Sequence, residues 1–238
     1  MQVPPEAFYD LYFLLSRGYS RPLALRLVAQ RYALRREEAV FLNRCVHSRL
    51  ESRAIAAKLL KPADLKGGRL AIDGFNQFTT IYAAAEKHTV YRCSDGLTRD
   101  ALLSGAKAVT QGIQKIVHLI RRGLEELAPA EAVIVLDSQP SKSGEVASYL
   151  RKALRGAVQR LQIVVSRRAD TTLIELSNRE SYVVASSDIV VAKRARKLFD
   201  FASYILQKDN ALGGRVNNIP QLLEKHHKEW CRGGGPVA

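Results

Sequence analysis

Four apolar runs in this 238-residue chain each lead into an aspartate. RLAID (69–73) ends in Asp73 and is followed by Gly74 and Asn76, and AVIVLD (132–137) ends in Asp137. LQIVVS (161–166) leads through Arg167 and Arg168 to Asp170, and SYVVAS (181–186) leads through Ser187 to Asp188. In a parallel sheet the carboxyl ends of the strands share one edge, and ligand sites form there. Carboxylates gathered at that edge repel, so protons or cations must compensate them. Mg²⁺ or Mn²⁺ suits such a set, because these ions take oxygen ligands and keep several waters. With a phosphate as a further ligand, the chemistry is phosphodiester hydrolysis by activated water. Asn76, Ser186 and Ser187 supply auxiliary hydrogen bonds to carboxylates, metal-bound water or substrate. Each aspartate also has a plainer use: Asp170 and Asp188 as helix N-caps, Asp73 and Asp137 in turns. Their coincidence at one edge favours a site.

The elements that would position these residues are strands rich in Val and Ile, apolar throughout, as strands covered on both faces should be. A fifth such run is FASYILQ (201–207). Helical stretches lie between them, at 98–128, 144–158, 169–179 and 188–199. The alternation predicts an α/β domain over 67–209, an open parallel five-stranded sheet flanked by helices. Residues 1–66 hold no good strand and read as a small all-helical N-terminal region. Its helices are expected at 6–16, after Ser20, and without a break from 35 to 60. Residues 79–97 read as a helix and an irregular loop. The tail, 210–238, carries one expected helix at IPQLLEKHHKEW and a frayed GGGPVA end. His118 is expected in the core.

Lys and Arg number 37 against 23 Asp and Glu, a net charge of +14, which favours a polyanionic partner. No acid lies between Glu145 and Asp170, an interval that holds Arg151, Lys152, Arg155, Arg167 and Arg168. Lys193, Arg194 and Lys197 form a second one-signed cluster, and both are candidate phosphate-binding walls. Cys45, Cys93 and Cys231 have no zinc-like spacing and read as reduced thiols of a cytoplasmic protein. No apolar run approaches the roughly 20 residues of a membrane span.

The segments IDGFN, VIVLDS, RRADTTLIE and VVASSDIVVAKRA resemble the PIN-like nuclease superfamily, and within it the NYN branch, over 70–207. The N-terminal part resembles helical regions attached to such domains in poorly characterised prokaryotic proteins. The resemblance implies a strand order of 3-2-1-4-5 and metal-dependent ribonuclease activity. By position, Asp73, Asp170 and Asp188 would be the metal ligands, Asn76 an auxiliary polar group and Asp137 a fourth acid. The chain departs from the pattern where Ile189 and Val190 follow Asp188 in place of a second acid, and in a long first crossover. The expectation is therefore a ribonuclease, with RNA favoured over DNA and a homodimer left open. The alternatives are a non-catalytic nucleic-acid-binding protein with a degenerate nuclease fold, and a helix-turn-helix regulator reading DNA with residues 20–45.

Overall fold

The structure, a computed structural model, describes residues 3–101, 105–209, 212 and 216–232. Residues 102–104 of the expected helix 98–128 and the 233–238 end lie outside the described residues. Four N-terminal helices come first: α1 (Pro5–Ser16), α2 (Arg21–Arg31), α3 (Arg36–Cys45) and α4 (Arg49–Ala56). Then follow β1 (Arg69–Asp73), α5 (Gly74–Ala85), β2 (Val90–Arg92), β3 (Thr98–Asp100), α6 (Gly105–Leu127) and β4 (Glu131–Asp137). The chain continues as α7 (Ser143–Ala153), β5 (Arg160–Ser166), α8 (Ala169–Arg179), β6 (Val183–Ala185) and α9 (Ile189–Arg194). Last come α10 (Phe201–Lys208), β7 (Val216–Asn218) and α11 (Ile219–Arg232).

The main sheet has four parallel strands in the order β5-β4-β1-β6. Ile72 of β1 is level with Ile134 of β4 and Ala185 of β6. Side chains alternate across the sheet, as the strand period requires. Leu70, Ile72, Ile134, Leu136 and Val183 point into a core shared with α5, α6, α7 and α10. Ala71, Val133, Val135 and Val184 face the opposite core, which takes Ile55 of α4, Leu173 of α8 and Val191 of α9. The N-terminal region thus contributes a helix to the sheet's second layer. Its remaining helices build a third core around Phe8, Leu11, Val28, Phe41 and Leu42, closed by Ile219 and Leu223 of α11. Among the described residues no helix is long and apolar enough to cross a membrane.

Several expectations are corrected. The five-stranded sheet has four strands, because FASYILQ is the helix α10. Asp200 caps it, accepting from the Ser203 amide at 2.9 Å. A short apolar run does not by itself choose between helix and strand. The sheet's fifth place goes to Leu198, which bridges Val184 in parallel and is itself bridged by Leu59. Residues 98–100 are strand rather than the first turn of the long helix, and pair with β2 in a second sheet of order β3-β2-β7. The expected helix 35–60 breaks at 46–48, where Ser48 forms a capping box with Glu51 and starts α4 afresh. His118 is exposed rather than core. Cys45 and Cys93, expected as free thiols, form a disulfide with Cα atoms 4.8 Å apart, 48 residues apart in sequence. It ties the end of α3 to the turn between β2 and β3.

Candidate functional site

The helix α5 starts at the residue after Asp73, with no loop between them. Gly74 is needed there for room, not for an unusual turn. A Cβ on it would come within 2.5 Å of Leu136 Cδ2 and 3.1 Å of Ile134 Cγ2. The close approach of α5 to β4 leaves Asp73 as the helix N-cap, its Oδ1 accepting from the Asn76 amide at 3.4 Å. Its Oδ2 accepts from Ser186 Oγ at 2.8 Å. Asn76 Oδ1 accepts from both the amide and the hydroxyl of Ser187, each at 2.8 Å. Ser186 Oγ in turn accepts from the Asp188 amide at 3.1 Å. Asp188 caps α9, its Oδ1 taking the Val190 amide at 2.7 Å and the Val191 amide at 3.2 Å. Asp73, Asn76, Ser186, Ser187 and Asp188, drawn from the ends of β1 and β6, therefore form one hydrogen-bonded unit.

Asp73 is half-buried at the strand end. Its carboxyl is raised to about 7, chiefly by burial and further by the charges of Asp188 and Asp170, against the hydrogen bonds from Ser186 and the Asn76 amide. Asp170 is exposed, in the first turn of α8, and makes no cap; Arg168 occupies the N-cap position. Its carboxyl is also raised, first by partial desolvation and then by the charges of Asp188 and Asp137. The four acids thus act on one another across the ends of four strands. Asp137 ends the inner strand β4, its Oδ1 accepting from the Gln139 amide at 2.9 Å, the turn contact. Among the described residues, no three carboxylate, imidazole or thiol side chains close around a point where a metal ion would sit.

The basic residues divide. Arg167 and Arg168 are exposed between β5 and α8, on the acidic edge next to Asp170. Arg151, Lys152 and Arg155 lie at the far end of α7, where the crossover returns to the start of β5. That is the opposite edge of the sheet. Arg151 also reaches over β5 to donate to the Ile163 carbonyl at 2.9 Å. Lys193 pairs with Glu51 of α4, while Arg194 and Lys197 are exposed. In the helix-turn-helix candidate, the exposed positions of α3 include Arg36, Glu37 and Val40, a mixed rather than a basic face.

A second set of polar groups behind the site escaped sequence reasoning. Arg99 is only 2% exposed and Asp95 is 0% exposed. Arg99 grips Asp95 with Nη1–Oδ1 at 2.8 Å and Nη2–Oδ2 at 2.7 Å, and its Nε donates to the Ser187 carbonyl at 2.8 Å. Burial pushes the Asp95 carboxyl up, but Arg99 outweighs it and holds the group below the usual range. His47 Nε2 stands 3.4 Å from Asp95 Oδ2, and His47 Nδ1 is 3.3 Å from Arg21 Nη2. A guanidinium only donates, so Nδ1 is the acceptor and the ring proton sits on Nε2. Burial accordingly lowers His47 to about 4. Asp95 and Arg99 come from a stretch without periodicity, and His47 from the break between α3 and α4. The one local signal nearby is Asp200 followed three residues later by Ser203, a helix start. Asp200 also accepts from the Thr98 amide at 2.7 Å, and burial raises its carboxyl.

The division of the molecule matches known families. Residues 62–204 match the family described as "Domain of unknown function (DUF5616)", and residues 5–58 match that described as "Protein of unknown function (DUF434)". The join falls between α4 and the 3-10 turn Pro62–Leu65. An uncharacterized protein of Methanocaldococcus jannaschii is 32% identical over 189 residues, covering 79% of this chain and 88% of that protein. No solved structure matches the chain. The first match takes in the main sheet and all four aspartates, and the chain belongs to the DUF5616 family.

Proposed function

We propose that the chain is a metal-dependent ribonuclease of the PIN-like, NYN type, hydrolysing phosphodiester bonds with Mg²⁺ or Mn²⁺. The observation that carries this reading is the electrostatic coupling of Asp73, Asp188 and Asp170 at one sheet edge, which raises the carboxyls of Asp73 and Asp170. The strand order β5-β4-β1-β6 supports it, being the first four places of the order that the resemblance implies. The donors are all oxygen, the chemistry these ions prefer. Mg²⁺ is commonly held through one or two carboxylates together with substrate phosphate. Asp73 and Asp188 would hold the ion, with Asp170 as the third acid facing substrate. When bound, such an ion supplies activated water and neutralises charge on the phosphoryl group. The chain's own residues orient the parts. Ser186 fixes the Asp73 carboxylate, Asn76 fixes the Ser187 turn, and Arg167 and Arg168 are placed to hold phosphates.

The test is cleavage of a labelled single-stranded RNA with Mn²⁺ or Mg²⁺ by the wild type, Asp73→Asn and Asp188→Asn. Metal-dependent cleavage lost in both folded variants supports the reading. The open arrangement of the acids, and the absence of an acid just after Asp188, favour a second reading: a nucleic-acid-binding protein on a degenerate nuclease fold. A wild type as inert as the variants, all binding RNA with a steep salt dependence, puts that reading first.

A further inference from the structure

The turn that presents Asp188 is held from two sides. On the site side, the Ser187 amide and hydroxyl bind Asn76 Oδ1. On the buried side, the Ser187 carbonyl receives Arg99 Nε at 2.8 Å. Ser187, the residue before Asp188, is therefore clamped at both its backbone donor and its backbone acceptor, and the Asp188 amide is held by Ser186 Oγ. Arg99 is itself immobilised. Both arms of its fork are taken by Asp95, whose Oδ1 also accepts from the Leu97 amide at 3.2 Å and so closes the turn. That turn is fastened to the N-terminal helices by the Cys45–Cys93 disulfide, by the Ser94 amide on the Cys45 carbonyl at 3.0 Å and by His47 beside Asp95. The same helices hold the far end of α9. Lys58 Nζ donates to the carbonyls of Ala192 and Lys193, at 3.1 and 2.7 Å. Glu51 pairs with Lys193 and Arg21.

We propose that Arg99 is a positioning residue for the Ser186–Ser187–Asp188 turn, and that through Asp95 and His47 it makes the N-terminal helices part of the site. This rests on the reading of Asp188 as a site acid. The physical case is that a buried guanidinium costs desolvation that a plain core would avoid. Here the guanidinium Nε, which Asp95 does not take, is aimed at the backbone of a site turn. Groups that orient a ligating side chain from behind are worth about 10–100-fold in metal affinity.

The test uses the full chain and two variants. Arg99→Lys keeps a charge beside Asp95 but loses the Nε donor that reaches Ser187. The double replacement Arg99→Met with Asp95→Leu removes the ion pair without leaving a buried charge unpaired. Hydrogen exchange is followed at the amides of Ser187, Asp188, Val190 and Val191, with β1 and β4 as internal references. Mn²⁺ alone is titrated calorimetrically. Faster exchange confined to the turn, in variants that keep the sheet protected, is the expected result, with Mn²⁺ affinity down by about 10–100-fold. Unchanged exchange in the turn, or protection lost evenly across β1, β4 and the turn, overturns it; the latter marks a purely structural ion pair. A wild type that binds no Mn²⁺ counts against the metal reading, while the exchange pattern still decides the role of Arg99.

Discussion

Ser186 Oγ donates to Asp73 Oδ2 at 2.8 Å across 113 residues of sequence. The bond joins the ends of adjacent parallel strands and holds a carboxylate that burial disfavours. It opposes the rise in the Asp73 carboxyl. Ser186→Ala is therefore expected to move Asp73 titration above the wild-type value of about 7, read by carboxyl carbon NMR. Asp73→Asn removes a carboxyl held above its unfolded value of 3.8. The wild type is penalised fully above pH 7 and less as pH falls toward 3.8. Asp73→Asn should melt higher than the wild type at pH 8, with the gain fading at pH 4, while any cleavage is lost.

The ring of His47 carries the opposite sign. Its folded value near 4 lies below the unfolded 6.5, so between those values the unfolded chain binds the extra proton. Stability from this group rises from pH 4 to pH 6.5 by about 3 kcal/mol. His47→Gln should narrow its stability deficit against the wild type as pH falls through that window. Chemical denaturation at matched pH values checks this, and a constant deficit would refute it.

Reduction should loosen the junction between the helical region and the second sheet. Opening the Cys45–Cys93 disulfide, or Cys45→Ser with Cys93→Ser, is expected to cost about 2–5 kcal/mol. Urea midpoints with and without reductant provide the measurement, and identical midpoints would show that the pair contributes nothing.

A single methyl group at Gly74 has nowhere to go, since Leu136 Cδ2 lies 2.5 Å from the Cβ position. Gly74→Ala should destabilise by about 1–3 kcal/mol through overpacking. Because α5 carries Asn76, displacement of that helix should also loosen the Ser187 contact, visible as faster amide exchange there.

The two arginine groups separate in a salt titration of RNA binding. Arg167→Ala with Arg168→Ala should reduce the slope of log affinity against log salt by about 2, one unit per lost phosphate contact. Arg151→Ala with Arg155→Ala, on the opposite sheet edge, should leave the slope unchanged. Equal effects from both pairs would argue for diffuse binding over the whole surface.

The strands ending at Asp73, Asp137 and Ala185 were legible because a buried parallel strand writes itself as an unbroken Val/Ile run; β5, ending at Ser166, was legible from its β-branched residues although as an edge strand it buries only Ile163. The aspartates were legible because strand ends share an edge. The helix over 201–208 was not, because Phe201, Ala202, Ile205 and Leu206, all buried, make a short apolar run that reads equally as a strand. The break before Ser48 was written in the sequence as a capping box but hidden by continuous helical spacing around it.

The sequence by itself determined the alternation of strands and helices, and with it which carboxylates face one edge. That information is local: apolar runs, caps and turns act over a few residues. Only the tertiary structure decided that Cys45 meets Cys93, that His47, Asp95 and Arg99 form one buried chain, and that the chain reaches the Ser187 carbonyl. Apart from the Asp95–Arg99 pair, four residues apart, those contacts join segments far apart in the sequence. They exist because burial forces each polar group in the interior to find a partner, wherever in the chain that partner lies.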